Sequence, residues 1–146
     1  MSYAQLYLHI VFGTKDHLPL ISLRWEAEMY RYLGGVVKGL KCPAIEINGM
    51  PDHVHLLVQL SPVIAISDLM RELKANSSKW ARKTHDPKFG WQRRYGVFSV
   101  SQSAVDDVRK YIRGQKEHHL KQNFENEYKA LLRLHGIEFD ERYLWD

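Results

Sequence analysis

The stretch AIEINGMPDHVHLLVQL, residues 44–60, decides the fold. Apolar and polar residues alternate on both sides of its centre, and alternation with period two is typical of half-buried β-strands. The centre carries turn-forming residues, Asn48-Gly49 followed by Pro51 and Asp52. The pattern therefore predicts a β-hairpin with a somewhat long loop that begins at Asn48-Gly49.

The second strand of this hairpin has two chemically different faces, because successive side chains of a strand point to opposite sides. One face consists of Val54, Leu56, Val58 and Leu60. The other face consists of His53, His55, Leu57 and Gln59. We expect the aliphatic face to pack under helices and the histidine face to lie on the opposite side of the sheet, where a later helix covers it.

Outside the hairpin, hydrophobic periodicity predicts further strands and helices. The predicted strands cover residues 6–14 and 95–101, and the predicted helices cover residues 24–41, 66–80, 103–122 and 126–136. Ser67 or a neighbour is the expected N-cap of the second helix, and Ser103 is the expected N-cap of the third.

The order β-α-β-β-α-β is that of the ferredoxin-like split βαβ fold. We therefore expect an α+β protein with an antiparallel four-stranded sheet and two helices on one face, followed by a C-terminal helix. A chain of 146 residues suits one domain better than two. We expect a single domain over residues 1–146, with a core over about 1–101, a helix over about 103–122, and a last helix and tail over about 124–146.

Composition narrows the class of protein. No apolar run approaches the roughly 20 residues that span a bilayer, and the N-terminus lacks the pattern of a signal peptide, so we expect a cytoplasmic protein without membrane helices. Cys42 is the only cysteine, which excludes an internal disulfide and a multi-cysteine zinc site. A metal site would have to use histidine, carboxylate or amide ligands.

Charge is unevenly distributed along the chain. The whole chain has a net charge of +4, but residues 68–94 alone contain eight lysines and arginines against three acids. From residue 123 to residue 146 the balance reverses, with six acids against three bases. The middle of the chain is therefore the segment expected to meet a polyanion.

Two groups of polar residues could form a site. His53 and His55 lie two apart on one strand face, roughly 6–7 Å between Cα atoms, so that both can reach one divalent ion. Tyr111 and Gln115 lie four apart on one helix face, with His118 and His119 one turn further on. The alternative is structural: two half-exposed histidines on a strand, a core-edge tyrosine bonded to water, and a solvated KEHH helix end.

PDHVHLLV followed by YIRGQ resembles the His-hydrophobic-His motif (the HUH motif) and the catalytic helix of the single-tyrosine HUH transposases of bacterial insertion sequences and their REP-associated relatives. The resemblance also covers the first strand, the basic middle and WQRRYGVFSVSQS. It implies the ferredoxin-like fold, and it makes the helix over about 103–122 the catalytic helix.

The resemblance implies a DNA transposase that cuts and rejoins single-stranded DNA at hairpin-marked ends. Tyr111 would be the catalytic nucleophile and form a 5′-phosphotyrosine intermediate, while His53, His55 and Gln115 would bind Mg²⁺ or Mn²⁺. The resemblance further implies homodimers in which Tyr111 can act in trans with the partner chain's histidines, and a cytoplasmic, nucleoid-associated location.

Basic and aromatic residues of the middle segment are candidates for DNA binding, the basic ones at phosphates and the aromatic ones by stacking on bases. The candidates are Lys74, Lys79, Arg82, Lys83, Trp91, Arg93, Arg94 and Tyr95. A solvated helix face is the alternative interpretation of this charge.

Two other functions fit the same residues. One is a domesticated protein that binds DNA hairpins without transposing, or a ferredoxin-like protein that binds RNA. The other is a small metal-dependent hydrolase, which would use the histidines but has no need of a covalent tyrosine. Tyr111 therefore discriminates between a transposase and a hydrolase.

Overall fold

The computed structural model describes residues 3–145 and confirms the ferredoxin-like α+β fold. Its elements in chain order are β1 Tyr7–Gly13, α1 Glu26–Gly39, β2 Ala44–Met50, β3 His53–Gln59, α2 Ile66–Thr84, β4 Gly96–Val100, α3 Val105–Arg113, α4 Gln115–His118 and α5 Phe124–Leu134. The strands form one antiparallel sheet in the order β2-β3-β1-β4. No helix within residues 3–145 is long and apolar enough to cross a membrane.

The two central strands set the geometry of the histidine face. In the pairing of β1 with β3, Val11 lies opposite His55 and Gly13 lies opposite His53. Paired residues of an antiparallel sheet point to the same face, and the face alternates along each strand. The side chains of His9 and Val11 therefore share one face of the sheet with the two histidines of β3.

Each face of the sheet packs against its own hydrophobic cluster, as the alternation predicts. The first cluster contains Val54, Leu56 and Val58 of β3 together with buried residues of α1 and α2. The second cluster lies on the histidine face and consists of Val11, Phe98, Phe124, Tyr128, Leu132 and Leu144. Helix α5 thus covers the histidine face together with α3 and α4, whereas the sequence pattern pointed to a single covering helix.

The predicted hairpin loop is wrong in detail. Strand β2 continues through Asn48 and Gly49 to Met50, and the turn contains only Pro51 and Asp52. Gly49 is needed for a different reason from turn formation, because a Cβ atom there would lie 2.2 Å from the carbonyl oxygen of His53. The glycine permits β2 to approach the start of β3 closely.

The predicted continuous helix over 103–122 is also wrong. Gln102–Ala104 form a 3₁₀ turn, and the helix is interrupted at Gly114, where the backbone angles are φ −87° and ψ 14°. Ser103 does not cap α3, since its hydroxyl lies 3.1 Å from the Ser101 hydroxyl instead. No side chain caps α2 either, and its N-cap residue is Ala65 rather than Ser67. Glycine has a low helix propensity, so the break falls at a weak position, although α1 continues through Gly34 and Gly35 without one.

Candidate metal and tyrosine site

His53 and His55 are fully buried on β3, and their Nε2 atoms face the same point. The Nε2 atom of His53 lies 3.2 Å from Oε1 of Glu127, and the Nε2 atom of His55 lies 3.1 Å from the same oxygen. Two imidazole nitrogens therefore converge on one carboxylate oxygen inside the protein.

The other ring nitrogen of each histidine has its own partner. Nδ1 of His53 lies 2.8 Å from Oδ1 of Asp52, and Nδ1 of His55 lies 2.8 Å from Nε2 of His9. A hydrogen bond at one ring nitrogen fixes the ring orientation and the tautomer, so that the other nitrogen is available as a ligand. Asp52 and His9 thus orient the two histidines with Nε2 toward the common point.

Gln115 and Tyr111 contribute to the same cluster from α4 and α3. Gln115 is fully buried, its Oε1 atom lies 3.1 Å from Nε2 of His53, and its amide donates a 2.9 Å hydrogen bond to Oε2 of Glu127. The half-buried Tyr111 donates a short hydrogen bond from its hydroxyl to the same Oε2 atom. The structure therefore brings together all four residues singled out for metal binding and nucleophilic attack.

Glu127 is the residue that the sequence pattern did not identify. It lies on α5, it is 2% exposed, and its two oxygens contact His53, His55, Gln115 and Tyr111. Asn123 caps this helix by accepting a hydrogen bond from the backbone N–H of Asn126. Helical spacing from the buried Phe124 places Glu127 on the inward face, and that spacing is the signal that could have identified it.

His119, just after α4, is a further member of the cluster. Its Nε2 atom lies 3.0 Å from Oε1 of Glu127. The potential ligand atoms of His53, His119 and Glu127 all lie within 4.8 Å of one another. His118 has a different environment, because its ring lies edge-on to that of Tyr111 with 4.7 Å between ring centres. A buried set of convergent nitrogen and oxygen donors fits a divalent cation.

Burial and hydrogen bonding shift the pKa values of the cluster in opposite directions. Burial alone would raise the pKa of Glu127, but hydrogen bonds with His119, His53 and His55 outweigh burial and hold this pKa well below its usual range. Burial lowers the pKa of His55 to about 4. Burial and the Glu127 carboxylate both raise the pKa of Tyr111. At neutral pH the site therefore holds an ionised carboxylate and a protonated phenol.

Ion pairs and hydrogen bonds hold α3 and α4 against β2 of the same chain. Glu46 on β2 accepts from Arg109 at 3.0 Å and from Arg113 at 2.9 Å. Lys116 donates a 2.5 Å hydrogen bond to the carbonyl oxygen of Gly49. These contacts place Tyr111 beside the histidines of its own chain.

Five of the eight candidates for DNA binding line a groove, and the other three lie around it. Lys74, Arg82, Trp91, Arg93 and Tyr95 line a groove of about 510 Å³ between α2 and residues 90–95. Arg94 lines a neighbouring depression with Arg93 and Tyr95. Lys79 and Lys83 are exposed on α2 but do not line the groove. The basic middle of the chain thus folds into a concave basic surface with an aromatic wall.

The side chains of Lys74 and Trp91 are held by contacts within the protein, unlike those of solvated surface residues. The Lys74 ammonium donates to the carbonyl oxygens of Gln92 at 2.6 Å and Arg93 at 2.8 Å, and burial lowers its pKa to about 8. Trp91 donates a 2.9 Å hydrogen bond to Ser77 and packs edge-on against Phe12, so it belongs partly to the core. Tyr95 is partly buried as well, and the Lys74 ammonium lies 5.8 Å from the centre of its ring.

Comparison with known proteins gives a consistent result. The family described as "Transposase IS200 like" matches residues 2–115. The ISDra2 transposase TnpA of Deinococcus radiodurans is 31% identical over 86 residues, which cover 54% of this chain and 60% of that protein. The chain therefore aligns with less than two thirds of this curated relative.

Two solved structures share the fold. One is a protein from Deinococcus radiodurans assigned as a transposase, with a TM-score of 0.64 and 22% identity over 78% of this chain and 93% of that chain. The other is a REP-associated tyrosine transposase bound to a REP hairpin, with a TM-score of 0.61 and 16% identity over 82% of this chain and 72% of that chain.

Proposed function

The chain belongs to the family of IS200-like transposases, and on this premise we propose that it cuts and rejoins single-stranded DNA through a covalent bond to Tyr111. One observation carries the proposal. The Tyr111 hydroxyl and the buried donors of His53, His55 and Gln115 meet at a single carboxylate, Glu127. A hydrolase would need the histidines but not a tyrosine hydroxyl at the same point.

His53, His55 and Gln115 would hold the divalent cation, Mg²⁺ or Mn²⁺. A bound cation neutralises charge on a phosphodiester and orients its phosphorus for attack. The chain's own contribution is orientation: Asp52 and His9 fix the two imidazoles, and the Gln115 amide is fixed by its hydrogen bond to Glu127. Such partners keep the ligand atoms in place before the cation and the substrate bind.

Tyr111 would attack the phosphorus of a DNA phosphodiester. A bond forms between the tyrosine oxygen and the phosphorus, the bond to the 3′ oxygen breaks, and the departing oxygen takes up a proton from water. Because the pKa of Tyr111 is raised, the phenol must lose its proton as the new bond forms. Oε2 of Glu127 holds the hydroxyl in place before this step, but the low pKa of this carboxylate makes it a poor proton acceptor, so the proton passes to water. The 5′-phosphotyrosine link retains the bond energy, so that another 3′-hydroxyl can reverse the step without ATP.

We propose a folded single strand as the substrate. The groove beside α2 offers Lys74, Arg82 and Arg93 for phosphates and Tyr95 for stacking. The structural relative with a bound REP hairpin supports a hairpin as the form of DNA to test first. The ion pairs between α3 and Glu46 are compatible with a Tyr111 that acts in cis, within one chain, and the exchange between partners that the resemblance implies remains a prediction.

The test is a covalent-adduct assay. Labelled single-stranded DNA hairpins are incubated with the protein and Mn²⁺, denatured, and separated by electrophoresis. We expect a denaturant-stable protein–DNA adduct with the wild type and none with Tyr111→Phe. An equal adduct with Tyr111→Phe would refute the assigned nucleophile. Tight binding of the hairpin without any adduct would indicate a domesticated binding protein that does not transpose.

A further inference from the structure

We propose that the metal site of this chain extends beyond the two histidines and the glutamine: His119 and Glu127 are additional ligands, supplied by the segment that follows the tyrosine helix. The inference deepens the proposed function, on whose metal dependence it rests. Both residues lie beyond residue 115, where the match to the transposase family ends. They are therefore ligands that the family resemblance does not assign.

The first argument is geometric. Nε2 atoms of three histidines, His53, His55 and His119, lie 3.0–3.2 Å from a single oxygen, Oε1 of Glu127. Nitrogen atoms of three imidazoles beside one carboxylate oxygen form a donor set of the kind that binds a divalent transition metal. The ligand atoms of His53, His119 and Glu127 lie within 4.8 Å of one another, close enough to share one cation.

The second argument is the cost of burying Glu127. An ionised carboxylate in an apolar environment is strongly unfavourable unless it is paired, and Phe124 and Tyr128 flank Glu127 on the buried face of α5. Two fully buried imidazoles and a third, partly buried one provide that pairing. An apolar residue in place of Glu127 would leave the imidazoles, the Tyr111 hydroxyl and the Gln115 amide without this partner, so the carboxylate belongs to the polar cluster and not to the packing around it.

The third argument is that the two oxygens of Glu127 have different partners. Oε1 faces the three imidazoles, whereas Oε2 accepts hydrogen bonds from Tyr111 and Gln115. One carboxylate can therefore bind a cation through Oε1 and still hold the Tyr111 hydroxyl through Oε2. This arrangement would keep the nucleophile next to the cation, and it makes α5 a structural part of the site.

The donor set also indicates the class of cation. Mg²⁺ prefers an octahedral shell of oxygen atoms with several waters, whereas imidazole nitrogens favour divalent transition metals. Three imidazoles with a carboxylate and an amide oxygen would therefore select an ion such as Mn²⁺ over Mg²⁺. A set of only two imidazoles and one amide oxygen would discriminate less between Mn²⁺ and Mg²⁺.

The alternative is that Glu127 is only a counter-ion for protonated histidines and is displaced when a cation binds. The two possibilities predict opposite results for Glu127→Gln. Removal of a ligand weakens metal binding, whereas removal of a displaced counter-ion leaves the affinity unchanged or increases it. Glu125→Gln is the matched control, because Glu125 is an exposed residue on the same helix that pairs with Lys129.

The experiment is a calorimetric titration of the DNA-free protein with Mn²⁺, repeated in competition with Mg²⁺. We expect the Kd for Mn²⁺ to rise more than about 100-fold in Glu127→Gln and in His119→Ala, because loss of an outer partner of a metal ligand alone costs about 10–100-fold. Glu125→Gln and His118→Ala should bind Mn²⁺ as the wild type does. His119→Ala provides an independent test if Glu127→Gln does not fold, since His119 lies at a helix end.

An Mn²⁺ affinity that is unchanged, higher, or lowered by no more than about 100-fold in both Glu127→Gln and His119→Ala would overturn this inference and leave the proposed function intact. A wild-type protein that binds no Mn²⁺ would overturn it together with the metal dependence of the proposed function. If Glu127→Gln and His119→Ala bind Mn²⁺ more weakly as expected but the wild type forms no DNA adduct, the proposed function is contradicted and the ligand assignment stands.

Discussion

Oδ1 of Asp52 lies 2.8 Å from Nδ1 of His53, its neighbour in the chain at the turn into β3. Asp52 therefore fixes the ring of a proposed metal ligand without contacting the common point itself. We expect Asp52→Ala to raise the Kd for Mn²⁺ about 10–100-fold, measured by calorimetry. Asp52→Asn retains an oxygen acceptor and should lose less affinity. Wild-type affinity in Asp52→Ala would contradict a positioning role for this carboxylate.

Gly13 is the residue of β1 that lies opposite His53. A Cβ atom there would lie 2.8 Å from Oε1 of Gln92 and 2.8 Å from the ring of Phe124, which stacks on His53 with 4.0 Å between ring centres. We expect Gly13→Ala to lower the free energy of unfolding by about 1–3 kcal/mol in a denaturant titration, because overpacking displaces the aromatic ring.

Gly35 provides the matched control for this substitution. It lies on an exposed position of α1, and a Cβ atom there would meet no atom within 4 Å. Gly35→Ala should increase stability by up to about 1 kcal/mol, since alanine favours a helix. Equal changes in the free energy of unfolding for the two substitutions would show that the close packing around Gly13 does not contribute to stability.

Lys74 predicts a pH dependence of DNA binding. Burial lowers its pKa to about 8, so the ammonium is charged below pH 8 and loses its proton as the pH rises above that value. We expect weaker hairpin binding at pH 9 than at pH 7, measured by fluorescence anisotropy with Tyr111→Phe. The slope of log affinity against log salt concentration should fall in magnitude by about one, the contribution of one phosphate contact.

Lys74→Arg is the control for that titration, because a guanidinium stays charged over this pH range. Its hairpin affinity should change less between pH 7 and pH 9 than that of the parent protein. The same pH dependence in both proteins would assign the effect to another group and remove Lys74 from the DNA-binding surface.

The contacts of α3 and α4 predict that one chain carries a complete site. Arg109 and Arg113 both pair with Glu46, and Lys116 bonds to the Gly49 carbonyl oxygen of the same chain. We therefore expect a mixture of Tyr111→Phe and His53→Ala proteins to form no DNA adduct. Adduct formation restored by mixing would show instead that the tyrosine acts with the partner chain's histidines.

Much of the fold follows from local periodicity. Alternation along β3 separates the aliphatic face from the histidine face, and helical spacing brings Tyr111 and Gln115 to one side of their segment, although that segment is broken at Gly114. These relationships involve residues that are close in the sequence, so they can be predicted from it. The hairpin turn was misplaced because an Asn-Gly pair, usually a turn signal, lies within a strand here.

Glu127 and His9 could not be predicted with the same ease. The contact of Glu127 with His53 and His55 depends on how α5 packs against a strand about 70 residues earlier in the chain. Glu125 and Glu127 are both acids near the start of one helix, and helical spacing from Phe124 distinguishes the buried one from the exposed one but does not show what the buried one contacts. His9 is a lone histidine in β1, and its role emerges from pairing of β1 with β3.

The most direct test of the central claim is identification of the residue that carries the DNA. The adduct formed with a labelled hairpin and Mn²⁺ is digested with a protease and a nuclease, and the modified peptide is sequenced by mass spectrometry. We predict a nucleotide joined through its 5′ phosphate to Tyr111. A nucleotide on any other residue, or an adduct that persists in Tyr111→Phe, would contradict the assignment of Tyr111 as the nucleophile.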